Sequence, residues 1–347
     1  MKKKPEGGLS WKQILLIVLC IVLMVALLVM IFATAYTNHF LNQIQHIPLD
    51  TTLSSEAVES IEQNLTETIP PDYTGEVVDP EDVTMPTQSP MTDIIQHPDL
   101  MNYLLVGQDR RPDEGRQRSD VMILVTVNKR TKTITLTSFL RDLYVDIPGY
   151  KYNKMNAAYQ MGGFGMLTET LLTNFGVTVD GCFEVDFDGF SSIVEIVGGV
   201  DIELTAEEAE YLNKNHNFTL VAGMNHLNGA EALAYARNRN IGSDFARTER
   251  QRKVLISIFE KSRNLSLSEM EQLLNAFLPL VATTMSSREL TTALGGMFPI
   301  LAEANVQSLR IPAYGAYTNM MIAGVGDSLV PDLDKCRELL RETLMPQ

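Results

Sequence analysis

VMILVTVNKRTKTITLTSF, residues 121–139, consists of two apolar, β-branched runs, 121–127 and 133–139, separated by the polar NKRTK. Two such runs around a short polar turn predict a β-hairpin. Folded about Arg130, the hairpin sets residue 120 opposite residue 140, so Asp120 and Arg141 meet at its open end. Just upstream, 103–106 is a short apolar strand that leads into the polar loop GQDRRPDEGRQRSD. If that strand pairs antiparallel with 121–127, Asp109 and Arg118 reach the same edge. Separated stretches then deliver two carboxylates and two or more arginines to one corner. Two readings of that corner stand. In one, Asp109 and Asp120 simply pair with Arg118 and Arg141. In the other, the carboxylates hold Mg²⁺, which takes one or two carboxylates plus phosphate oxygens and water, and the arginines neutralise the remaining charge.

Further along, YARNRNIGSDFARTERQ (235–251) gathers Arg237, Arg239, Arg247 and Arg250 in a chain of formal net charge −15. Arginine donates in pairs to phosphate or carboxylate and keeps its charge, so such a cluster suits a multiply charged anion. Ser243 or Asp244 can cap a helix that continues FARTERQRKVLISIFEKS. On it Arg247, Gln251, Val254 and Ile258 share one face, and the first two extend the buried stripe toward the helix N-terminus. A buried guanidinium without a partner costs on the order of several kcal/mol. A single arginine there would suggest a structural ion pair, whereas four favour a ligand. Lys154, in KYNKMNAAY, is either a further phosphate contact or an exposed lysine.

The rest of the chain alternates strands and helices, which indicates α/β layers. Helices are expected at 166–175, after the strand that begins at Cys182, at 206–213, in NGAEALAYAR, at 268–284, at 287–302 and from about Pro331. Strands are expected at 200–204 and 306–311, with 223–227 a turn and 312–329 irregular.

The N-terminal part has a different composition. Residues 1–12 carry four lysines, and 14–35 are apolar and uncharged, long enough to span a bilayer at about 20 residues. The flanking lysines place the N-terminus in the cytoplasm and the remainder outside. A cleaved signal peptide, with an apolar region of roughly 7–15 residues, is the alternative. Between Thr37 and Leu100 there are twelve acidic residues and no lysine or arginine, with several prolines between 70 and 90. That composition predicts a solvated stalk. The expected organisation is a cytoplasmic tail (1–12), a transmembrane helix (13–36), an extracellular acidic stalk (37–100) and a folded domain (101–347).

Several chemistries find no support. Cys20, Cys182 and Cys336 have neither CxxC nor metal-ligand spacing, and buried thiols are expected at the last two, with a disulfide between them the alternative. The five histidines form no HExxH pattern, and GxxxxGK[ST] and GxGxxG are absent. A net acidic chain with an anchor does not suit nucleic acid.

LLVGQDRR, RSDVMILVTVNKRTKTITLTSFLRD, KMNAAYQMGG, VDFDGFSSIVEIVGGV, LNGAEALAYARNR and DFARTERQRKVL, in this order over residues 101–262, resemble the LytR–CpsA–Psr proteins of Gram-positive cell envelopes. The resemblance implies an α/β domain with a mixed central β-sheet flanked by helices, preceded by one transmembrane helix and an acidic stalk. It also implies a phosphotransferase that moves a glycopolymer, such as wall teichoic acid or capsule, from a polyprenyl-pyrophosphate carrier to peptidoglycan. Carried over by motif, Asp109 and Asp120 would hold Mg²⁺ (or Mn²⁺). Arg118, Arg141, Lys154, Arg237, Arg239, Arg247 and Gln251 would contact the pyrophosphate. Asp109, Asp120, Arg141 and Arg247 would carry the chemistry, with Asp109 the first choice of general base. The polyprenyl tail would lie in an apolar tunnel beside the sheet. Phe139-Leu140 stands where the family has Ile-Pro before the Arg-Asp pair, a change that bears on tunnel shape. A polyprenyl-pyrophosphate hydrolase and a non-catalytic precursor receptor are the competing functions. A transcription attenuator, once proposed for relatives, conflicts with the anchor and the acidic charge.

Overall fold

Alternation along the strands decides which face each side chain serves. The computed structural model describes residues 44–49, 65–86, 94–108, 118–263, 265 and 267–345. In chain order these give β1 (Gln45–His46), β2 (Val77–Val78), β3 (Leu100–Gln108), β4 (Val121–Asn128), β5 (Thr133–Phe139), β6 (Tyr144–Asp146) and β7 (Tyr152–Lys154). Then follow α1 (Met155–Phe175), β8 (Gly181–Asp186), α2 (Phe187–Ile196), β9 (Val200–Leu204), α3 (Ala206–His216), β10 (Gly223–Leu227), α4 (Gly229–Arg237) and α5 (Asp244–Ser262). The last elements are α6 (Leu267–Phe277), β11 (Val281–Thr283), α7 (Ser287–Leu301), β12 (Asn305–Ile311), β13 (Tyr317–Ile322), β14 (Gly326–Pro331) and α8 (Leu333–Leu344).

The main sheet has seven strands in the order β1-β11-β8-β3-β4-β5-β12. It is mixed: β4 pairs antiparallel with both β3 and β5, while β3 pairs parallel with β8, and β5 with β12. The hairpin forms one residue away from the expected register, with Ile123 opposite Ser138, and this shift aligns position 120 with position 141. Leu104, Val106, Met122 and Leu124 point into the principal core against α1 and α8, where Phe164, Leu171 and Leu340 are buried. The alternate residues Leu105, Ile123 and Val185 face the other way, toward α2, α4 and α5. A second core forms there, with Val194, Leu212, Ala232, Tyr235 and Val254. This is the expected mixed sheet flanked by helices.

Several elements differ from expectation for identifiable reasons. α1 begins at Met155, eleven residues before the predicted start at 166, because a first helical segment precedes a kink of non-helical backbone at Gly162 and Gly163. Gly163 has φ +60, a conformation that favours glycine and that a sequence reader takes for a helix break. Residues 223–227 are a strand, β10, paired antiparallel with β9. The helix expected over 268–284 stops at Phe277, and its last residues supply β11 to the sheet. The stretch 312–329 contains the β13–β14 hairpin. Cys182 and Cys336 are buried free thiols.

The boundary at residue 100 is corrected. β1 adds to the edge of the main sheet and β2 pairs parallel with β13. Leu65 and Ile95 belong to the principal core. The described parts of 44–99 are therefore built into the domain. Their acidic, proline-rich composition hides a few apolar anchors, each of which buries its side chain with its neighbours. Ile44–Gln347 is one compact unit, and the other, Met1–Gln43, lies outside the described residues. So does the apolar run at 14–35; among the described residues no helix is long and apolar enough to cross a membrane.

Candidate active site

A cavity of about 900 Å³ opens between the sheet and α2, α4 and α5. Its floor is set by register: Leu105 lies opposite Ile123, and Gly107 opposite Val121, with Val185 beside Gly107. Gly107 leaves no room for a side chain, because a Cβ there would come within 2.9 Å of the Val121 Cβ. Its walls are Phe187 and Phe190 from α2, Leu233 and Ala234 from α4, and Leu255 from α5. Asp120, Arg237, Arg239, Arg247 and Gln251 also line it. An apolar chamber with convergent polar groups is the usual form of a small-ligand site.

Each charged group reaches this place through its element. Asn228 and Glu231 form a reciprocal cap that starts α4, and Arg237 ends it. The Arg237 guanidinium lies over the Phe187 ring at 3.9 Å. The following loop is held by Arg250, which donates to the carbonyls of Asn238 (2.6 Å) and Ile241 (3.0 Å) and faces Glu208 at 3.3 Å. Arg250 is thus a brace for the loop, the structural reading of an arginine, and does not line the cavity. Arg239 donates to Asp120 at 2.6 Å, and Arg141 reaches the other oxygen of Asp120 at 2.8 Å. Ser243 occupies the N-cap of α5 without a side-chain cap bond. Asp244, in the first turn, instead faces Arg141 at 3.1 Å and Arg247 at 3.0 Å.

Arg247 carries the strongest indication of a ligand. It is only 2 % exposed, and its Nε has no hydrogen-bond partner. Gln251, one turn on, leaves its Oε1 unpartnered as well. Buried polar atoms are nearly always satisfied, so two orphans side by side on a cavity wall indicate a missing polar occupant. Burial and the neighbouring Arg141 depress the Arg247 pKa, and an anion would relieve both effects.

Arg118 and Lys154 do not line the cavity. Arg118 binds Glu67 and also donates to the Leu65 carbonyl at 2.7 Å. Lys154, 5 % exposed, binds the other Glu67 oxygen at 2.8 Å and faces Asp142 at 3.5 Å. Asp142 in turn lies 3.3 Å from Arg141. One charged network therefore runs from Arg118 through Glu67, Lys154, Asp142 and Arg141 to Asp120 and Arg239. Within it, burial drives the Asp142 carboxyl up, and its hydrogen bond with Asp244 adds to this. Burial would raise Asp244 too, but the bond from Asp142, Arg247 and Arg141 outweigh it and hold Asp244 down.

Glu67, Asp142 and Asp244 were not selected from the sequence. Asp142 adjoins Arg141, and in the sequence Asp244 reads only as a cap. Glu67 had no signal, since it sits among acidic residues of an apparent stalk. Asp109 lies outside the described residues. Among the described residues no group of three or more His, Cys, Asp or Glu side chains could hold a metal. Of the two expected metal ligands only Asp120 is among the described residues, and its carboxylate oxygens, of the kind a hard cation accepts, are bound by Arg141 and Arg239.

Burial would raise Glu67, but Lys154 and Arg118 overcome it and hold the carboxyl below its usual range. A group depressed in the folded state contributes stability above its unfolded value and loses it as pH falls through the folded one. Glu67→Gln is expected to loosen residues 65–86 at neutral pH, seen as faster amide exchange there. In the native chain the same exchange should quicken only as pH falls below the ordinary carboxylate range. Unchanged exchange in the variant would show that the clamp does not hold the segment.

The LytR_cpsA_psr family model matches residues 63–339. The chain is 32% identical over 227 residues to the polyisoprenyl-teichoic acid–peptidoglycan teichoic acid transferase TagT of Bacillus subtilis (strain 168), covering 62% of this chain and 69% of the relative. It is 35% identical over 184 residues to the transferase of the same description, TagU, of Enterococcus faecalis (strain ATCC 700802 / V583), covering 52% of this chain and 58% of the relative. Among solved structures, the LytR-CPS2A-psr family protein YwtF (TagT) with bound octaprenyl pyrophosphate lipid superposes with a TM-score of 0.55 at 27% identity, covering 74% of this chain and 94% of that one.

Proposed function

Because the chain belongs to the LytR_cpsA_psr family, we propose that it transfers a glycopolymer from a polyprenyl-pyrophosphate carrier to a peptidoglycan hydroxyl. The observation that carries this reading is the pairing of an apolar chamber with unsatisfied buried groups, Arg247 Nε and Gln251 Oε1, on its wall. A polyprenyl tail suits the chamber, and a diphosphate suits Arg237, Arg239 and Arg247. Relatives described as teichoic acid transferases, and one seen with octaprenyl pyrophosphate, support the same assignment.

Phosphoryl transfer depends on positioning and on stabilising the charge of the moving group. Arg247 and Arg239 would hold the diphosphate oxygens. Asp120 and Asp244 fix the guanidinium groups of Arg141, Arg239 and Arg247 in place. A divalent cation, Mg²⁺ or Mn²⁺, would be held by Asp120 together with Asp109 and would supply further charge neutralisation. In this reading the apolar run at 14–35 anchors the chain in the cell membrane as a single span, with the N-terminus cytoplasmic and the domain outside, facing its lipid-linked donor and its wall acceptor.

The test is incubation of the purified full chain with a labelled polyprenyl-pyrophosphate glycan, with and without peptidoglycan fragments. Label is expected in the peptidoglycan only when acceptor is present, with free carrier phosphate released. Release of glycan phosphate without acceptor would make the protein a hydrolase. Bound but intact carrier would make it a receptor.

A further inference from the structure

Two arginines outside the cavity are left without an acidic partner. Arg252 on α5 is 6 % exposed, and its Nη1 donates to Ser138 Oγ at 2.7 Å while its Nε has no partner. Arg310 on β12 lies opposite Ser138 in the parallel β5–β12 register, so its side chain stands on the same face of the sheet. Its Nε donates to the Pro312 carbonyl at 3.1 Å. Among the described residues neither guanidinium has a carboxylate within ion-pair distance; Glu249, one turn from Arg252, is paired with Lys253 at 3.2 Å. Burial, with Arg310 contributing, lowers the Arg252 pKa to about 10. Glu249 offsets only part of this, and two neighbouring buried or half-buried cations with no directly paired carboxylate are costly unless something negative visits them.

Aromatic rings stand against Arg310. The Arg310 guanidinium lies 4.2 Å from the Phe245 ring centre and 4.1 Å from that of Tyr314, held between the two. Tyr317 packs on Phe245 at 5.3 Å. Tyr314 is 83 % exposed, far more than a core role requires. Phe245 directly follows Asp244, so this aromatic platform adjoins the charged network at the start of α5. None of these residues lines the apolar cavity.

We propose that Tyr314, Phe245, Arg310 and Arg252 form a second substrate subsite, for a sugar ring that bears an acidic substituent. The apolar face of the ring lies on exposed Tyr314, since an aromatic face offers contact area to C–H groups while its hydroxyl serves polar neighbours. The acidic group meets Arg310, whose fork is already fixed by the stacked rings, with Arg252 behind it. The subsite rests on the transfer reading, because its place beside Asp244 makes it the path for sugars entering or leaving the diphosphate. Two sources share this chemistry: the phosphate-bearing unit of the donor glycopolymer, and a carboxylate-bearing sugar of the acceptor glycan.

The experiment measures binding of two probes to the full chain in detergent by calorimetry, a sugar-phosphate oligomer without lipid and a muramic-acid-containing glycan oligomer. Wild type is compared with Tyr314→Ala and Arg310→Gln, both at exposed or half-buried positions, with thermal unfolding as the check on folding. At least one probe is expected to bind, and to bind about tenfold or more weakly in each variant, with unchanged unfolding. Loss for the sugar-phosphate alone assigns the subsite to the donor, and loss for the muramic glycan alone to the acceptor. In the transfer assay the same variants should raise KM for that substrate more than they lower kcat. Equal binding of both probes by all three proteins, or no binding by wild type, overturns the subsite. Binding is read apart from turnover, so absence of transfer by wild type would refute the transfer reading while leaving the subsite to be judged by its own result.

Discussion

Arg247→Ala is expected to lower transfer by about 10³-fold or more, the range over which one arginine acting on a moving phosphoryl group is worth most. The argument begins with burial. Arg247 is 2 % exposed, at the second turn of a helix whose first turn already carries Asp244. Asp244 answers only one side of the guanidinium, and the Nε remains without a partner on the cavity wall. Arg250 also leaves its Nε without a partner, but its other nitrogens are taken up by two carbonyls and Glu208 away from the cavity, whereas Arg247 and the equally unpartnered Gln251 Oε1 stand together on the cavity wall. Arg247→Lys keeps the charge but loses the planar fork, and should recover only a small part of the activity. Turnover of a lipid-linked donor is the measurement, with thermal unfolding beside it. A well-folded Arg247→Ala protein with wild-type turnover would remove the diphosphate from this cavity.

Much of that site could be read from local spacing. The hairpin followed, to within one residue of register, from two apolar runs and a polar turn, and it delivered Asp120 to Arg141 as expected. The shared face of Arg247 and Gln251 followed from helical periodicity. What escaped reading was long-range compensation. Arg118 and Lys154 are expected as further anion contacts because their actual acidic partner lies far away in sequence. Their partner, Glu67, is 51 residues from Arg118 and 87 from Lys154. Sequence spacing carries no information about such a pair. The same limit explains β1 and β2: two-residue strands have too few positions to show alternation, and only pairing with β11 and β13 makes them strands. Arg250 departs from expectation in the same direction, but for a local reason. It belongs to the same sequence cluster as Arg247, yet three residues along a helix turn the side chain far enough to reach the 238–241 loop.

Asp120→Asn is expected to cost transfer about 10²-fold, comparable to loss of one preorganised donor at a developing charge, even if no cation ever binds there. Its two oxygens bind different arginines, Arg141 at 2.8 Å and Arg239 at 2.6 Å. Arg239 is half exposed and has no other ion pair among the described residues, so Asp120 is what holds it at the cavity. An asparagine keeps the shape and one acceptor oxygen but removes the charge that draws both guanidinium groups together. Arg141 should remain in place through Asp142 and Asp244, whereas Arg239 should swing free. The metal reading adds a separable expectation. If Asp120 also ligates Mg²⁺ or Mn²⁺, the variant should need far more cation for half-maximal activity than wild type, and calorimetry should show weakened Mn²⁺ binding to the full chain. If Asp120 only positions arginines, the cation requirement of the two proteins should coincide while their maximal rates differ. Wild-type activity that persists in excess chelator would exclude the metal and leave the arginine-positioning role to stand on the rate alone.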